Sequence, residues 1–238
     1  MQPAFVRVFF IFNKKLLKTF LITGAGKGIG HQTALFAAQQ GHKVLAISRD
    51  VSSLEGKENI YPFSLDLSDA TAIKAYVQSI KKESIDVLIN NAGLLSHQPV
   101  AESDFELFEK IYRVNVFGLA ELTRHLLPQI PSTGHVVNIS SMGGIQGSAK
   151  FAGLSIYSSS KGAVNTLTEL WAEEFKATGP KFNALALGAV QTQMLETAFP
   201  GFKAPITAEN FAPYVFDFAL NGHQYYNGKV LPVSSSTP

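Results

Sequence analysis

The sequence predicts an α/β fold: a doubly wound, three-layer sandwich with a mostly parallel seven-stranded sheet and helices on both faces. Three observations predict it. Short apolar runs alternate with segments whose apolar residues recur at three- and four-residue steps, the signature of strands and helices that cover a parallel sheet on both sides. The first apolar run, Phe20-Leu21-Ile22, passes directly into the glycine-rich stretch Thr23 to Gly30 and then into helical spacing. No repeat, linker or low-complexity stretch interrupts the body of the 238 residues. Residues 18–238 therefore read as one domain, preceded by an extension over residues 1–17.

Taken in order, the helix after the glycines turns Ile29, Ala34, Ala37 and Ala38 inward. Val44 to Ile47 reads as a second strand and Tyr61 to Leu65 as a third, followed by a helix over about 70–84. Asp86 to Ile89 is a fourth strand. A long helix is expected over about 103–129, then a fifth strand from His135 to Ile139. Another long helix, over about 156–178, carries Val164, Leu167, Trp171 and Phe175 at helical steps. Phe182 to Ala186 and Val230 to Val233 complete the strands, and the Pro/Gly break around 198–206 reads as a loop or short lid. Right-handed crossovers should join the strands.

Composition narrows the function. A hydrophobic content of 46% against 16% charged residues fits a well-buried globule and excludes a disordered chain. The absence of cysteine excludes disulfides, thiolate metal sites and a cysteine nucleophile, and leans towards a reducing, cytoplasmic location. The 6 histidines show no ligand-type spacing, so no metal is expected. Arg7, Lys14, Lys15 and Lys18 supply the net charge of +2, leaving a slightly acidic body with no claim on nucleic acid. Val6 to Phe12 is apolar but too short to span a bilayer, and its charges lie on the wrong side for a signal peptide. An extra strand or packing arm is the favoured reading of this tail, and a membrane-touching segment the alternative.

Thr23-Gly24-Ala25-Gly26-Lys27-Gly28-Ile29-Gly30 has the spacing TGxxxGxG. Between a first strand and a first helix, it makes a tight turn that aims a helix N-terminus at a pyrophosphate. A glycine-rich turn without a ligand is the competing reading. At the tip of the second strand, where an acid would bind a ribose 2′-hydroxyl, the chain has Ser48 and Arg49, with Lys27 inside the glycine loop. Two cations and a hydroxyl suit a 2′-phosphate, so NADP(H) is preferred over NAD(H); the competing reading, which Asp50 keeps open, is that Arg49 merely solvates a turn. Asp66, with Leu67 beside it, can accept a bond from adenine. Asn90-Asn91-Ala92-Gly93 follows the fourth strand, where Asn91, Ala92 and Gly93 either border the cofactor or fix the loop.

Tyr157 and Lys161 stand one helical turn apart, and an ammonium beside a phenol eases its ionisation. The spacing alone is weak, because Tyr225 and Lys229 repeat it between two Asn-Gly turns where no helix is expected.

With these motifs in order over about residues 18–235, the chain resembles the short-chain dehydrogenase/reductase family, a Rossmann-type fold. The marks are the glycine loop, Asn90 to Gly93, Asn115, Ser140-Ser141, Tyr157-xxx-Lys161 and Gly188-x-Val190-x-Thr192. The resemblance implies that Tyr157 is the general acid or base and that Lys161 tunes it and binds the nicotinamide ribose. It implies further that Ser141 bonds the substrate oxygen, that Asn115 holds a water linking Lys161 to solvent, and that Val190 and Thr192, after Gly188, contact the carboxamide. A purely structural bond is the alternative for Asn115. The family also implies a small-molecule carbonyl or alcohol substrate and assembly as a homodimer or homotetramer through the two long helices, where Trp171 and Phe175 face either a partner helix or the sheet.

Four features depart from the family pattern. The sixteen positions from Ser141 to Tyr157 exceed the common spacing, the added length falling in Gly147 to Gly153. Leu187 replaces a proline, which predicts a looser turn. The segment from Met194 to Thr207 is short for a substrate-covering loop, and the end of the chain lacks a glycine pair. All four bear on substrate choice. Leu94, Leu95, Met142, Phe151 and Met194 are the expected pocket lining, suited to a ketone or aldehyde with an apolar body. The competing functions are a non-catalytic dinucleotide sensor or scaffold and a membrane-associated lipid-pathway reductase.

Overall fold

A computed structural model describes residues 16–235. The stretch Val6 to Phe12, with Lys14 and Lys15, lies outside the described residues. Seven strands form one sheet in the order β3-β2-β1-β4-β5-β6-β7. They are β1 (Thr19–Thr23), β2 (Lys43–Ser48), β3 (Ile60–Ser64), β4 (Val87–Asn90), β5 (His135–Ser141), β6 (Lys181–Leu187) and β7 (Lys229–Val233). Every neighbouring pair is parallel, so "mostly parallel" becomes wholly parallel.

The alternation of side chains along β1 sets the two core layers. Phe20 and Ile22 point to one face, where α1 (Gly28–Gln39) and α7 (Ala208–Asn221) pack through Ala34, Ala37, Phe211, Val215 and Phe216. Leu21 points to the other, covered by α2 (Ala70–Ser79), α4 (Leu119–Leu126) and α5 (Ser155–Glu174) through Ile73, Val77, Leu122 and Ala172. Trp171 and Phe175 pack their rings on Phe182 of β6, at 5.9 and 5.7 Å between centroids. Both rings face the sheet.

Two expectations about helices change. The single helix over 103–129 is four pieces: α3 (Phe105–Tyr112), a π-helical stretch at Arg113–Gly118, α4, and a closing 3-10 turn at Leu127–Gln129. The widened turn seats Asn115 and brings the bare Cα of Gly118 against Leu67, whose carbonyl oxygen would lie 2.1 Å from an added Cβ. π-turns of this kind concentrate at functional sites. In addition, 208–221, given no element by the sequence reading, is α7, capped by Thr207, whose side chain accepts the Asn210 N–H. The Pro/Gly break at 199–206 is a loop, and a short helix, α6 (Gln193–Ala198), precedes it and with it forms a small lid. Among the described residues, no helix is long and apolar enough to cross a membrane.

The turn after β6 is held rather than loose. The Gly188 N–H donates to the Val233 carbonyl at 2.8 Å, and an added Cβ at Gly188 would strike Ser234 Oγ at 2.0 Å. The end of β7 thus braces a turn that begins with Leu187 instead of proline.

Candidate active site

The strand order reverses direction between β1 and β4, and a parallel sheet opens a crevice at the carboxyl ends of its strands there. A cavity of about 360 Å³ occupies that place. Most of the candidate site residues line it: Gly24, Lys27, Gly28 and Ile29 from the glycine loop; Ser48, Arg49, Asp66 and Leu67 beyond β2 and β3; Asn91, Ala92 and Gly93 after β4; Ser141, Tyr157 and Lys161; and Gly188, Val190 and Thr192 after β6.

The glycine loop fits a dinucleotide phosphate. Gly24 and Gly28 have φ of +67° and +63°, a region that costs a side-chain-bearing residue strain. At the start of α1 no side chain caps the helix, whereas Asp69, Asp104, Thr192 and Thr207 cap α2, α3, α6 and α7. The first N–H groups of α1 are therefore left for an anion.

Three candidates sit behind the cavity rather than in it. Thr23 is buried; its Oγ1 accepts the N–H groups of Asn91 and Ala92, both at 3.0 Å. Gly30 is a packing contact, since an added Cβ would lie 2.3 Å from Asn91 Nδ2. Asn91 Nδ2 in turn donates to the carbonyls of Thr23 and Gly24 at 2.9 and 3.2 Å. The loop-fixing reading of Asn91 is thus satisfied, and its position at the cavity wall is satisfied as well.

Asn115 is wholly buried. Its Oδ1 accepts the Leu94 N–H at 2.7 Å, and its Nδ2 donates to the Leu94 carbonyl at 2.9 Å and to Ser160 Oγ at 3.0 Å. Ser160 Oγ donates to the Tyr157 carbonyl at 2.7 Å. Asn115 therefore ties the loop after β4 to the first turn of α5. Asn115 Oδ1 and Lys161 Nζ both converge on Gly93, each 3.5 Å from where its Cβ would be, so a methyl there would make ordinary contact with both.

The reacting groups come from β5 and α5. Ser141 Oγ accepts the Gly143 N–H at 3.2 Å and bonds Tyr157. Lys161 is buried, donates from Nζ to the Ile139 carbonyl at 2.8 Å, and stands 5.8 Å from the Tyr157 ring centroid. Burial pushes the Tyr157 phenol up to about 12, against the pull of the Ser141 hydrogen bond. Burial likewise pushes Lys161 down to about 8. The expected easing of ionisation by Lys161 is thus not the net effect here: withdrawal from water dominates both groups, and the ammonium is engaged by a carbonyl. At neutral pH the phenol carries its proton, and burial makes it a weaker acid than a free tyrosine.

The second tyrosine–lysine pair provides the contrast. Tyr225 is 78% exposed, and Lys229 opens β7; no helix joins them.

The sequence reading missed Gln193, Leu195, Ala198 and Phe199 from the lid and Leu154 and Ser158 near Tyr157, all of which line the cavity. Gln193 Oε1 accepts from Lys27 Nζ at 2.9 Å, across the crevice. The spacing of Thr192 before a short helical pattern was the available signal. Among the described residues, no group of three or more His, Cys, Asp or Glu side chains is placed to hold a metal.

Fold and site together define a Rossmann-type dinucleotide-binding protein with a Ser–Tyr–Lys constellation in its crevice. The comparisons narrow this further. The short chain dehydrogenase family model matches residues 18–201, and the chain belongs to that family of oxidoreductases. It is 33% identical over 228 residues to the NADP-dependent 3-hydroxy acid dehydrogenase of Schizosaccharomyces pombe, covering 85% of this chain and 86% of that protein. It is also 33% identical over 193 residues to the 3-oxoacyl-(acyl-carrier-protein) reductase of Thermotoga maritima, covering 75% of this chain and 76% of that one. A short chain dehydrogenase from Escherichia coli CFT073, crystallised with NADPH, matches with a TM-score of 0.80 at 26% identity over 90% of this chain and 95% of that one.

Proposed function

We propose that this chain is an NADP(H)-dependent reductase that converts a ketone or aldehyde to an alcohol. The observation that carries the reading is the convergence of Ser141, Tyr157 and Lys161 on the same cavity as the uncapped glycine loop. A sensor or scaffold needs the loop alone.

The cofactor, when bound, supplies the hydride that reaches the carbonyl carbon. The chain's own residues do the rest. Ser141 donates a hydrogen bond to the substrate oxygen while its own oxygen is held by the Gly143 N–H. Negative charge growing on that oxygen is stabilised by donors already in place. Tyr157 then passes its proton to the oxygen, completing the alcohol. Lys161, one turn along α5, stabilises the phenolate left behind. Asn115, through Leu94 and Ser160, positions the start of α5. In the reverse direction Tyr157 acts as the base.

The cofactor preference is supported by Arg49, Ser48 and Lys27 on the cavity wall. Asp50 does not line it. Its carboxylate accepts the Ser52 N–H and hydroxyl at 3.0 and 2.7 Å, which holds it below the usual carboxylate range. The acid next to Arg49 is thus engaged in its own turn. The NADP-dependent and NADPH-bound relatives agree with this preference.

Copies of the chain are proposed to pair through α4, α5 and the adjoining π-helical stretch, where Phe117 and Leu170 remain 58% and 57% exposed; sedimentation as a monomer would retire that assignment. A cytoplasmic location accords with the absence of cysteine. The reductase reading itself is tested by a panel of ketones and aldehydes followed through NADPH absorbance. Consumption of NADPH that depends on the carbonyl supports it, and tight NADPH binding with no turnover on any panel member favours the sensor.

A further inference from the structure

The added length between Ser141 and Tyr157 is a built element. Lys150 folds back, and its Nζ donates to the carbonyls of Gly143 and Ile145 at 2.7 and 2.6 Å and to Ser148 Oγ at 2.8 Å. At the far end, the Gly153 carbonyl accepts the Gln98 N–H at 2.9 Å, and Gly153, at φ +82°, lies against the His97 ring. Between these two anchors stands Phe151. Its ring meets Phe199, at the end of α6, edge-on at 5.1 Å between centroids and 76° between planes. Phe199 also faces His97 at 6.3 Å. The inserted segment and the lid are thus joined by one aromatic contact, and both rings line the cavity.

The cavity lining around that contact is largely apolar, with the exposed His97 and the engaged Lys150 behind it. Leu94, Leu95, Met142 and Met194 line the same cavity. The charged residues of the lining are Lys27, Arg49 and Asp66 at the cofactor end, and Lys161. Lys161 is committed to Ile139 and Tyr157. A substrate carboxylate, phosphate or ammonium would therefore find no opposite charge beyond Tyr157, and burying it unpaired is costly. Aromatic edges and methionine sulfurs instead favour rings and branched apolar groups.

We infer that Phe151 and Phe199 form a specificity-determining wall that selects carbonyl compounds whose larger substituent is uncharged and aromatic or branched. This rests on the reductase reading for its chemistry, but the binding preference can be measured apart from turnover. The wall explains why the inserted segment is anchored at both ends: a ring that selects by contact must be held in place.

The test compares 1-phenyl-1-propanone with propanal on the wild type, Phe151→Ala, Phe199→Ala and the double variant. Phe151→Leu and Phe199→Leu serve as versions that keep the apolar fill. Two readouts are taken: kcat/KM with NADPH, and calorimetric binding of the ketone to the protein–NADP⁺ complex. Each alanine variant should lose roughly tenfold for the aryl ketone and change about twofold or less for propanal, with NADPH affinity unmoved. The double variant should lose less than the product of the singles, because the rings touch one another. The leucine variants should recover part of the loss. Equal losses on both carbonyls, or no loss on either, would overturn the wall. So would a wild type that binds the aryl ketone no better than propanal. A wild type that binds the ketone through Phe151 and Phe199 yet never reduces it would retire the reductase reading and keep the wall.

Discussion

At the scale of single residues, environment separates two tyrosine–lysine pairs that spacing cannot. Tyr157 is half-buried beside Ser141 and the buried Lys161, whereas Tyr225 is 78% exposed beside a strand. Tyr157→Phe removes one oxygen and leaves the ring that packs against Lys161. It should reduce kcat by about 10²–10⁴-fold, the range for loss of a positioned proton donor. NADPH affinity, followed by fluorescence titration, should stay within about twofold of the wild type; normal ketone reduction by the variant would move the proton donor elsewhere. Arg49→Ala addresses the other end of the cavity. If its guanidinium grips a 2′-phosphate, NADPH affinity should fall by roughly tenfold or more while NADH affinity holds, since charge-assisted bonds contribute about 1.5–3 kcal/mol. Equal losses for the two cofactors in parallel titrations would mean that Arg49 merely solvates the turn after β2.

At the scale of elements, the strands were the most legible part of the sequence, and the reason is burial on both faces. Phe20 to Ile22 and Val44 to Ile47 are apolar throughout because helices cover each side. The glycine loop and the Ser–Tyr–Lys set were legible because few other residue types serve there. The interrupted helix was not. Arg113 to Gly118 carries the same side-chain pattern as a plain helix, and its widened turn follows from contacts distant in sequence: Asn115 with Leu94, and Gly118 with Leu67. Helix α7 hid behind Pro213, which breaks the helical pattern near its start, although Phe211, Val215 and Ala219 keep the four-residue step. The lid contacts were invisible for a third reason: Phe151 and Phe199 meet only in three dimensions. Gly118→Ala tests the π-turn. An added methyl would press on the Leu67 carbonyl, and overpacking of this kind costs about 1–3 kcal/mol. A lowered urea midpoint together with weaker NADPH binding is expected, because Leu67 lines the cofactor end of the cavity. An unchanged midpoint would show that the turn absorbs the methyl at no cost.

At the scale of the whole molecule, the two ends of one sheet carry different duties. The carboxyl ends of the strands hold the cavity, and the amino ends hold a buried polar anchor. His135, the first residue of β5, is 1% exposed. Its Nδ1 contacts the Ala219 carbonyl at 2.9 Å and its Nε2 contacts Asn183 Nδ2 at 3.0 Å. A carbonyl needs a donor and an amide N–H needs an acceptor, so the ring fits as the neutral form protonated at Nδ1. In this way it joins β5, β6 and α7. Burial, with His223 nearby, pushes His135 down to about 4 from the ordinary 6.5. A base with a depressed folded pKa leaves the unfolded chain binding more protons below the ordinary value. Its stabilising contribution is therefore complete above pH 6.5 and is lost as pH falls towards 4. By linkage, a shift of that size is worth about 3 kcal/mol, as an order of magnitude. Urea midpoints of the wild type should fall across this window, and those of His135→Gln should start lower at neutral pH and fall less. Parallel slopes for the two proteins would assign the acid sensitivity to other groups. Because the anchor lies at the opposite end of the sheet from Tyr157, the rate per folded molecule should not follow the stability curve. Acid should remove active molecules before it alters the chemistry of those that remain.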